Sequence, residues 1–171
     1  MSLPAPGKTR VVLADDHELV RSGIRTLLAS LPGVEVVAEA GDGDELLQVL
    51  ESAAVDVVMT DLTMPGMDGI GAIERIRAQH PALRILVLSM HDTGELVRRA
   101  VEAGANGYLT KDAPDFELDL ALRSVMSTGR YFSPGLTQPE SPVPASHPGS
   151  VPGAFPGVPG AVPITPPGTP P

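Results

Sequence analysis

The chain has no cysteine and no tryptophan among its 171 residues, and only two tyrosines and three phenylalanines. Without a thiol there is no disulfide framework, no cysteine nucleophile and no thiolate metal site, a usage that suits a cytoplasmic protein. No apolar run approaches the roughly 18 residues of a membrane span. Met1 to Thr9 lack the apolar centre of a signal peptide and read as a short flexible arm. Basic residues are also scarce, 12 against 21 acidic ones, for a formal charge of −9. So acidic a chain does not accumulate on nucleic acid through charge, and direct DNA binding is not expected of it.

What is present divides sharply by composition. Of the 19 prolines, 13 lie between Pro134 and Pro171, in a stretch without Lys or Arg whose one acidic residue is Glu140. Prolines this dense forbid helices, and a segment almost free of charge and aromatics cannot form a core. The glycines do not recur at every third position, which excludes collagen. Spacings such as Pro163 to Pro166 fit a polyproline helix but lack the basic neighbours of a docking motif. The expected organisation is an arm over 1–8, one folded domain over 9–130 and a disordered Pro/Gly-rich tail over 131–171.

Within the domain, apolar runs alternate with helical periodicity. Arg10 to Ala14 reads as a strand that ends in Asp15-Asp16-His17. Glu18 to Ser30 carries Leu19, Val20, Ile24, Leu27 and Leu28 at helical spacing, read as one buried stripe. Val34 to Ala40 is a second strand, and Asp44 to Ser52 a second helix after the Gly41-Asp42-Gly43 turn. Val55 to Asp61 is a third strand, a short largely apolar run rich in β-branched residues, which reads as a strand buried on both faces. The turn at Pro65-Gly66 and a cap near Asp68 lead into a helix over Gly69 to Gln79. Arg84 to Ser89 is strand four, Gly94 to Ala103 a helix closed by Gly104, and Asn106 to Leu109 a short fifth strand. A last helix starts at Pro114 and carries Phe116, Leu118, Leu120, Leu122, Val125 and Met126.

Five strands alternating with five helices predict a doubly wound α/β fold with a parallel sheet and right-handed crossovers. Five such units in about 120 residues favour the strand order 2-1-3-4-5, whose switch point lies between strands one and three. Asp15-Asp16 and Asp61 then end neighbouring strands at the edge where ligands bind. Three carboxylates in one crevice repel each other unless a cation intervenes. An oxygen-rich site of this kind suits Mg²⁺, which keeps several waters and takes one or two carboxylates plus a phosphate. Ser89 and Lys111 close strands four and five at the same edge and supply donors for phosphoryl oxygens. The expected chemistry is an aspartyl phosphate at Asp61. His17 and His91 read as loop residues without partners at ligand spacing.

Asp15-Asp16, the run Asp61-Leu-Thr-Met-Pro-Gly-Met-Asp-Gly69, Ser89-Met90 and Gly107-Tyr-Leu-Thr-Lys111 together resemble the receiver domain of a two-component response regulator. The details around His17, His91 and Asp112 resemble the LuxR/NarL/FixJ-type subfamily. The resemblance implies a flavodoxin-like receiver fold, with Asp61 as phosphoacceptor. It places Asp15, Asp16, Asp61 and the Thr63 carbonyl around Mg²⁺, Lys111 on the phosphate, and Ser89 and Tyr108 as the switch pair. It also implies a sensor histidine kinase as partner, a phosphorelay that alters the surface of helix 4, strand 5 and helix 5, and leaves room for a homodimer. Such a protein is a self-phosphorylating and self-dephosphorylating signalling module rather than a turnover enzyme. One departure is Asp112, which stands where many receivers have proline.

Gly129 to Pro134 resembles the lead into a LuxR-type output, and Leu136-Thr137 its opening, after which the composition changes. The sequence thus reads as a receiver whose helix-turn-helix has been lost through truncation or a shifted frame. The alternative is a transcriptional regulator by ancestry, with DNA contact supplied by a partner. Two other classes fit less well. A haloacid-dehalogenase-like phosphatase wants a second Asp where Thr63 stands, and a dinucleotide-binding fold wants a Gly-rich turn where Asp15-Asp16-His17 stands.

Overall fold

The β-branched runs form the centre of the molecule in its computed structural model, which describes residues 7–136. Most of the expected arm and the tail beyond Leu136 lie outside the described residues. The strands are β1 (Thr9–Ala14), β2 (Val34–Ala40), β3 (Val57–Asp61), β4 (Arg84–Ser89) and β5 (Gly107–Thr110). Between and after them come α1 (Glu18–Ser30), α2 (Gly43–Ser52), α3 (Gly69–Gln79), α4 (Gly94–Ala103) and α5 (Asp115–Ser127). The strands pair in parallel in the order β2-β1-β3-β4-β5, as the alternation of elements predicts. All five residues of β3 are buried, in keeping with its central place.

Alternation along each strand divides the core in two. Val12, Val58, Ile85 and Val87 face Leu46, Ile73, Ile76 and Val97 on α2, α3 and α4. Val11, Leu13, Met59 and Leu88 face Leu28, Leu118 and Leu122 on α1 and α5. Each fully buried aliphatic side chain of this kind contributes about 1.5–3 kcal/mol, so both layers are substantial.

Two expectations change. The apolar stripes of α1 and α5 are narrower than their composition suggests. Leu19 is 89% exposed, and Phe116 and Leu120 are also exposed. At about 100° per residue, Leu19 lies half a turn from buried Leu28, and Phe116 and Leu120 lie almost opposite Leu118. Val20 and Met126, expected in the same stripes, are exposed as well.

The sheet also gains a sixth strand, β6 (Tyr131–Phe132), parallel to β5. The Ser133 N–H extends it, donating to the Tyr108 carbonyl at 3.0 Å, and the Ser133 hydroxyl accepts from Thr110 N at 3.2 Å. The close approach requires glycine at 107, where a Cβ would stand 2.6 Å from the Tyr131 carbonyl oxygen.

Candidate functional site

Parallel registration brings the strand ends level. Ala14 pairs with Thr60, Asp61 with Leu88, and Ser89 with Thr110, so Asp15, Asp61, Ser89 and Lys111 emerge along one edge. The loop that follows Asp61 is held tightly. Its end is closed by the Gly69 N–H donating to the Leu62 carbonyl at 3.2 Å, and a Cβ on Gly69 would lie 2.5 Å from Leu62 Cα. Asp68 caps α3 by accepting from Ile70 N at 3.2 Å. This closure aims Thr63 back at the aspartate, and its N–H donates to Asp61 Oδ1 at 3.1 Å.

The other carboxylate oxygen of Asp61 meets a cation. Lys111 Nζ lies 2.8 Å from Asp61 Oδ2 and 2.7 Å from Asp15 Oδ2. All three side chains are nearly inaccessible. Burial pushes the Lys111 ammonium down, but the hydrogen bonds and charges of Asp15 and Asp61 outweigh it and raise the pKa. Lys111 therefore stays charged, one cation between two buried carboxylates. The Lys111 N–H donates to the Ser89 carbonyl at 2.9 Å, which fixes the lysine to β4.

Asp15 is fully buried. Its Oδ1 accepts from His17 N at 2.8 Å, and Arg21 donates to its carbonyl. Its Oδ2 has no hydrogen-bond partner beyond the ion pair with Lys111 Nζ at 2.7 Å, a cation it shares with Asp61. Asp15, Asp16, His17 and Asp61 each offer an atom to one cluster, all within 4.8 Å of one another. Oxygen donors at this spacing, with the buried carboxylates of Asp15 and Asp61 sharing one lysine, fit a divalent cation.

Ser89 and Tyr108 stand one step back. The Ser89 hydroxyl accepts from His91 N at 3.0 Å, and the Tyr108 hydroxyl donates to the His91 carbonyl. Tyr108 is fully buried. Burial raises its phenol pKa, and the Ser89 hydroxyl partly offsets this while the Asp61 charge adds to it. Outside these groups lies a cleft of about 110 Å³ lined by His17, Asp61, Thr63, Met90, His91 and Lys111. That is well below the roughly 300 Å³ of a small-molecule pocket, so it suits a group the size of a phosphoryl rather than a nucleotide.

The structure therefore brings Asp15, Asp16, Asp61, Thr63 and Lys111 together, and links Ser89 to Tyr108 through one backbone residue. Two histidines read as bystanders are part of the arrangement. His91 contributes its backbone N–H and carbonyl. His17 contributes Nδ1, 3.0 Å from Asp16 Oδ1 and 3.3 Å from Asp15 Oδ1. Each follows a polar residue by two positions and is drawn in by a side-chain-to-backbone turn. The Asp-x-His and Ser-x-His spacings were the available signal.

A 2-1-3-4-5 parallel sheet with this acidic edge, its lysine and its buried tyrosine defines the flavodoxin-like receiver class. Residues 11–123 match the family described as response regulator receiver domain, and the chain belongs to that family. Over 128 residues it is 41% identical to the response regulator UvrY of Escherichia coli (strain K12), covering 75% of this chain and 59% of UvrY. It is 37% identical over 129 residues to the response regulator GacA of Pseudomonas viridiflava, covering 75% of this chain and 60% of GacA. The chain thus spans about three-fifths of the length of these relatives. Among solved structures, a LuxR-family two-component response regulator from Aurantimonas sp. SI85-9A1 superimposes with a TM-score of 0.69 at 41% identity, over 73% of this chain and 89% of that one. The signal receiver domain of the putative response regulator NarL from Mycobacterium tuberculosis gives 0.69 at 38% identity, over 73% of this chain and all of that one. The receiver is of the LuxR/NarL/FixJ type. No helix among the described residues is long and apolar enough to cross a membrane.

Proposed function

We propose that this chain is a cytoplasmic phosphorylation switch in which Asp61 takes a phosphoryl group from a phosphohistidine of a sensor histidine kinase. The observation that carries the reading is the single ammonium of Lys111 shared between the buried carboxylates of Asp15 and Asp61. In the reaction a bond forms from an Asp61 carboxylate oxygen to phosphorus as the bond from phosphorus to the kinase imidazole breaks. The electron pair of the broken bond stays on the imidazole nitrogen. Asp15, Asp16, Asp61 and the Thr63 carbonyl would hold Mg²⁺, which would supply positive charge for an electron-rich phosphoryl group to approach this acidic edge.

The chain's own groups do the rest. Thr63 N–H holds Asp61 in place. Lys111 leaves its carboxylate partners to pair with the phosphoryl oxygens, whose charge of roughly −1.5 to −2 draws it outward. Ser89 turns its hydroxyl from His91 N toward the same oxygens. That loosens the turn on which the Tyr108 hydroxyl rests, and the change spreads through α4, β5 and α5. The output is a change in what that surface binds, with no product released to solution.

The test is labelling of the full chain by a small phosphodonor with Mg²⁺. One acid-stable, base-labile phosphate is expected on wild type and none on Asp61→Asn. Label on the variant, or none on wild type, would sink the reading.

A further inference from the structure

We propose that residues 131–136 are a strap that closes on β5 in the unphosphorylated chain and is released when Asp61 carries a phosphoryl group. The inference rests on the phosphoryl reading above and names the element through which the β5 edge answers it.

The strap is short and lightly held. β6 pairs only Tyr131 with Gly107 and Phe132 with Tyr108. Tyr131 N donates to the Asn106 carbonyl at 3.3 Å, and Ser133 N to the Tyr108 carbonyl at 3.0 Å. The Ser133 hydroxyl accepts from Thr110 N at 3.2 Å, and Leu136 N closes a turn on the Ser133 carbonyl at 3.2 Å. An ordinary strand pairs about five or six residues, so this edge is the cheapest part of the sheet to open.

Its bonds fall on the residues that a phosphoryl group would move. Ser133 grips β5 at Tyr108 and at Thr110. Tyr108 rests its hydroxyl on the His91 turn, and Thr110 directly precedes Lys111. An outward pull on Lys111 and a loosened His91 turn displace both ends of that grip together. Hydrogen bonds weaken steeply as their angles and lengths depart from the ideal, so Ser133 cannot keep both.

The side chains straddle the edge of the sheet. Phe132 and Leu136 pack on the layer that contains Val97, Ala100 and Tyr108, and Tyr131 packs on the opposite layer. The Tyr131 hydroxyl donates to Oε1 of the buried Glu117 on α5 at 2.8 Å, the one hydrogen bond this carboxylate makes among the described residues. Opening the strap strands that carboxylate, a cost that keeps it shut until β5 moves. A permanent cap on the sheet edge is the competing account. It explains the pairing but predicts equal protection of the strap with and without phosphate.

The deciding experiment is hydrogen exchange by mass spectrometry on the full chain in Mg²⁺, with and without a small phosphodonor. Labelling of wild type is expected to speed exchange over residues 131–136 at least roughly 10-fold, with β1 to β3 unchanged and no effect in Asp61→Asn. Tyr131→Phe and Ser133→Ala are expected to open the strap without phosphate. A strap that favours the unphosphorylated chain must oppose phosphorylation by the same factor, so both variants should raise steady-state label at limiting donor roughly 5-fold. Circular dichroism checks that they are folded. Labelled wild type whose strap exchanges no faster, faster exchange spread equally through β1 to β3, or opened variants with unchanged label overturns the strap and leaves the phosphoryl reading standing. Wild type that takes no label overturns both.

Discussion

At the amino ends of the strands, Asp56 has both carboxylate oxygens bound by the Arg10 guanidinium at 3.1 Å, and one of them also by Arg10 N at 2.8 Å. At the carboxyl ends, Asp15 and Asp61 share one lysine between them. The contrast extends to the amides. Asn106 Oδ1 accepts from Ile85 N and Arg77 Nη2, each at 2.9 Å, while its Nδ2 donates to the Gly129 carbonyl at 3.3 Å. Arg77 also donates to the Gly104 and Pro81 carbonyls. The amino edge is a closed network that joins α3, α4, β4, β5 and the end of α5. The carboxyl edge instead gathers the carboxylates of Asp15, Asp16 and Asp61 around the single ammonium of Lys111. The same side-chain chemistry holds the fold together where it is satisfied and prepares a reaction where it is not.

Substitutions at the two edges should therefore fail in opposite ways. The largest effect is expected from Asp61→Asn, which should cut phosphoryl labelling by at least roughly 100-fold while leaving the thermal midpoint no lower than that of wild type. Differential scanning calorimetry beside the labelling assay checks both halves, and a variant that loses label because it unfolds would break the comparison. Next is Asn106→Ala, which strands the Ile85 N–H and frees the Arg77 fork. It should cost about 2–3 kcal/mol in urea unfolding, with label per folded molecule unchanged. Lost labelling in a folded Asn106 variant would mean that the two edges are coupled rather than separate.

How much of this was legible in the residues follows the same division. The strands, the helices and most boundaries show in the apolar periodicity, because the sheet centre is buried on both faces. The carboxyl edge was legible because strand ends converge wherever the order is 2-1-3-4-5, so Asp15, Asp61, Ser89 and Lys111 meet by topology alone. The amino edge was not, since Arg10–Asp56 and Asn106–Arg77 join residues far apart with no periodic mark. That network also explains why β3 starts at Val57 rather than Val55: Asp56 is drawn to Arg10 before the ladder begins. Tyr131–Phe132 are too short for a period, and their pairing with β5 depends on a glycine 24 positions earlier. Leu19, Phe116 and Leu120 are apolar yet lie on the outer faces of their helices, so apolar character alone does not mark burial there. His17 is marked in the sequence only by its Asp-x-His spacing, and the turn made by Asp15 is what draws it in.

A smaller effect comes from acid. The hydrogen-bonded fork of Arg10 outweighs burial and holds the Asp56 carboxyl below its ordinary value. A depressed carboxylate means that the unfolded chain binds more protons near its own pKa of about 3.9. The stabilisation is thus complete above that pH and is lost as pH falls through the lower folded value. Asp56→Asn should lower the thermal midpoint at pH 7 by roughly 3 °C, and the difference from wild type should close toward pH 3. A gap that stays constant over that range would mean that the pair acts through packing rather than charge.

The smallest effect is the one that separates the edges most cleanly, because it changes sign. Asp16 sits beside Asp15, and the His17 ring is its one ion-pair neighbour among the described residues, so in metal-free buffer Asp16→Asn removes repulsion and should stabilise the fold by about 0.5 kcal/mol. A divalent ion that binds only the folded chain adds RT ln(1 + [L]/Kd), about 1.4 kcal/mol at ten times Kd. Wild type should collect that gain on adding Mg²⁺ or Mn²⁺, and Asp16→Asn, short of a ligand, should not. The order of stability in urea then inverts: the variant leads without metal, and wild type leads with it. Removing the Asp56 carboxylate at the other edge should lower stability equally in both buffers. A variant at position 16 that is less stable than wild type with or without metal would show that the carboxyl edge is a satisfied network like its counterpart, and would remove the reason to regard it as poised for a ligand.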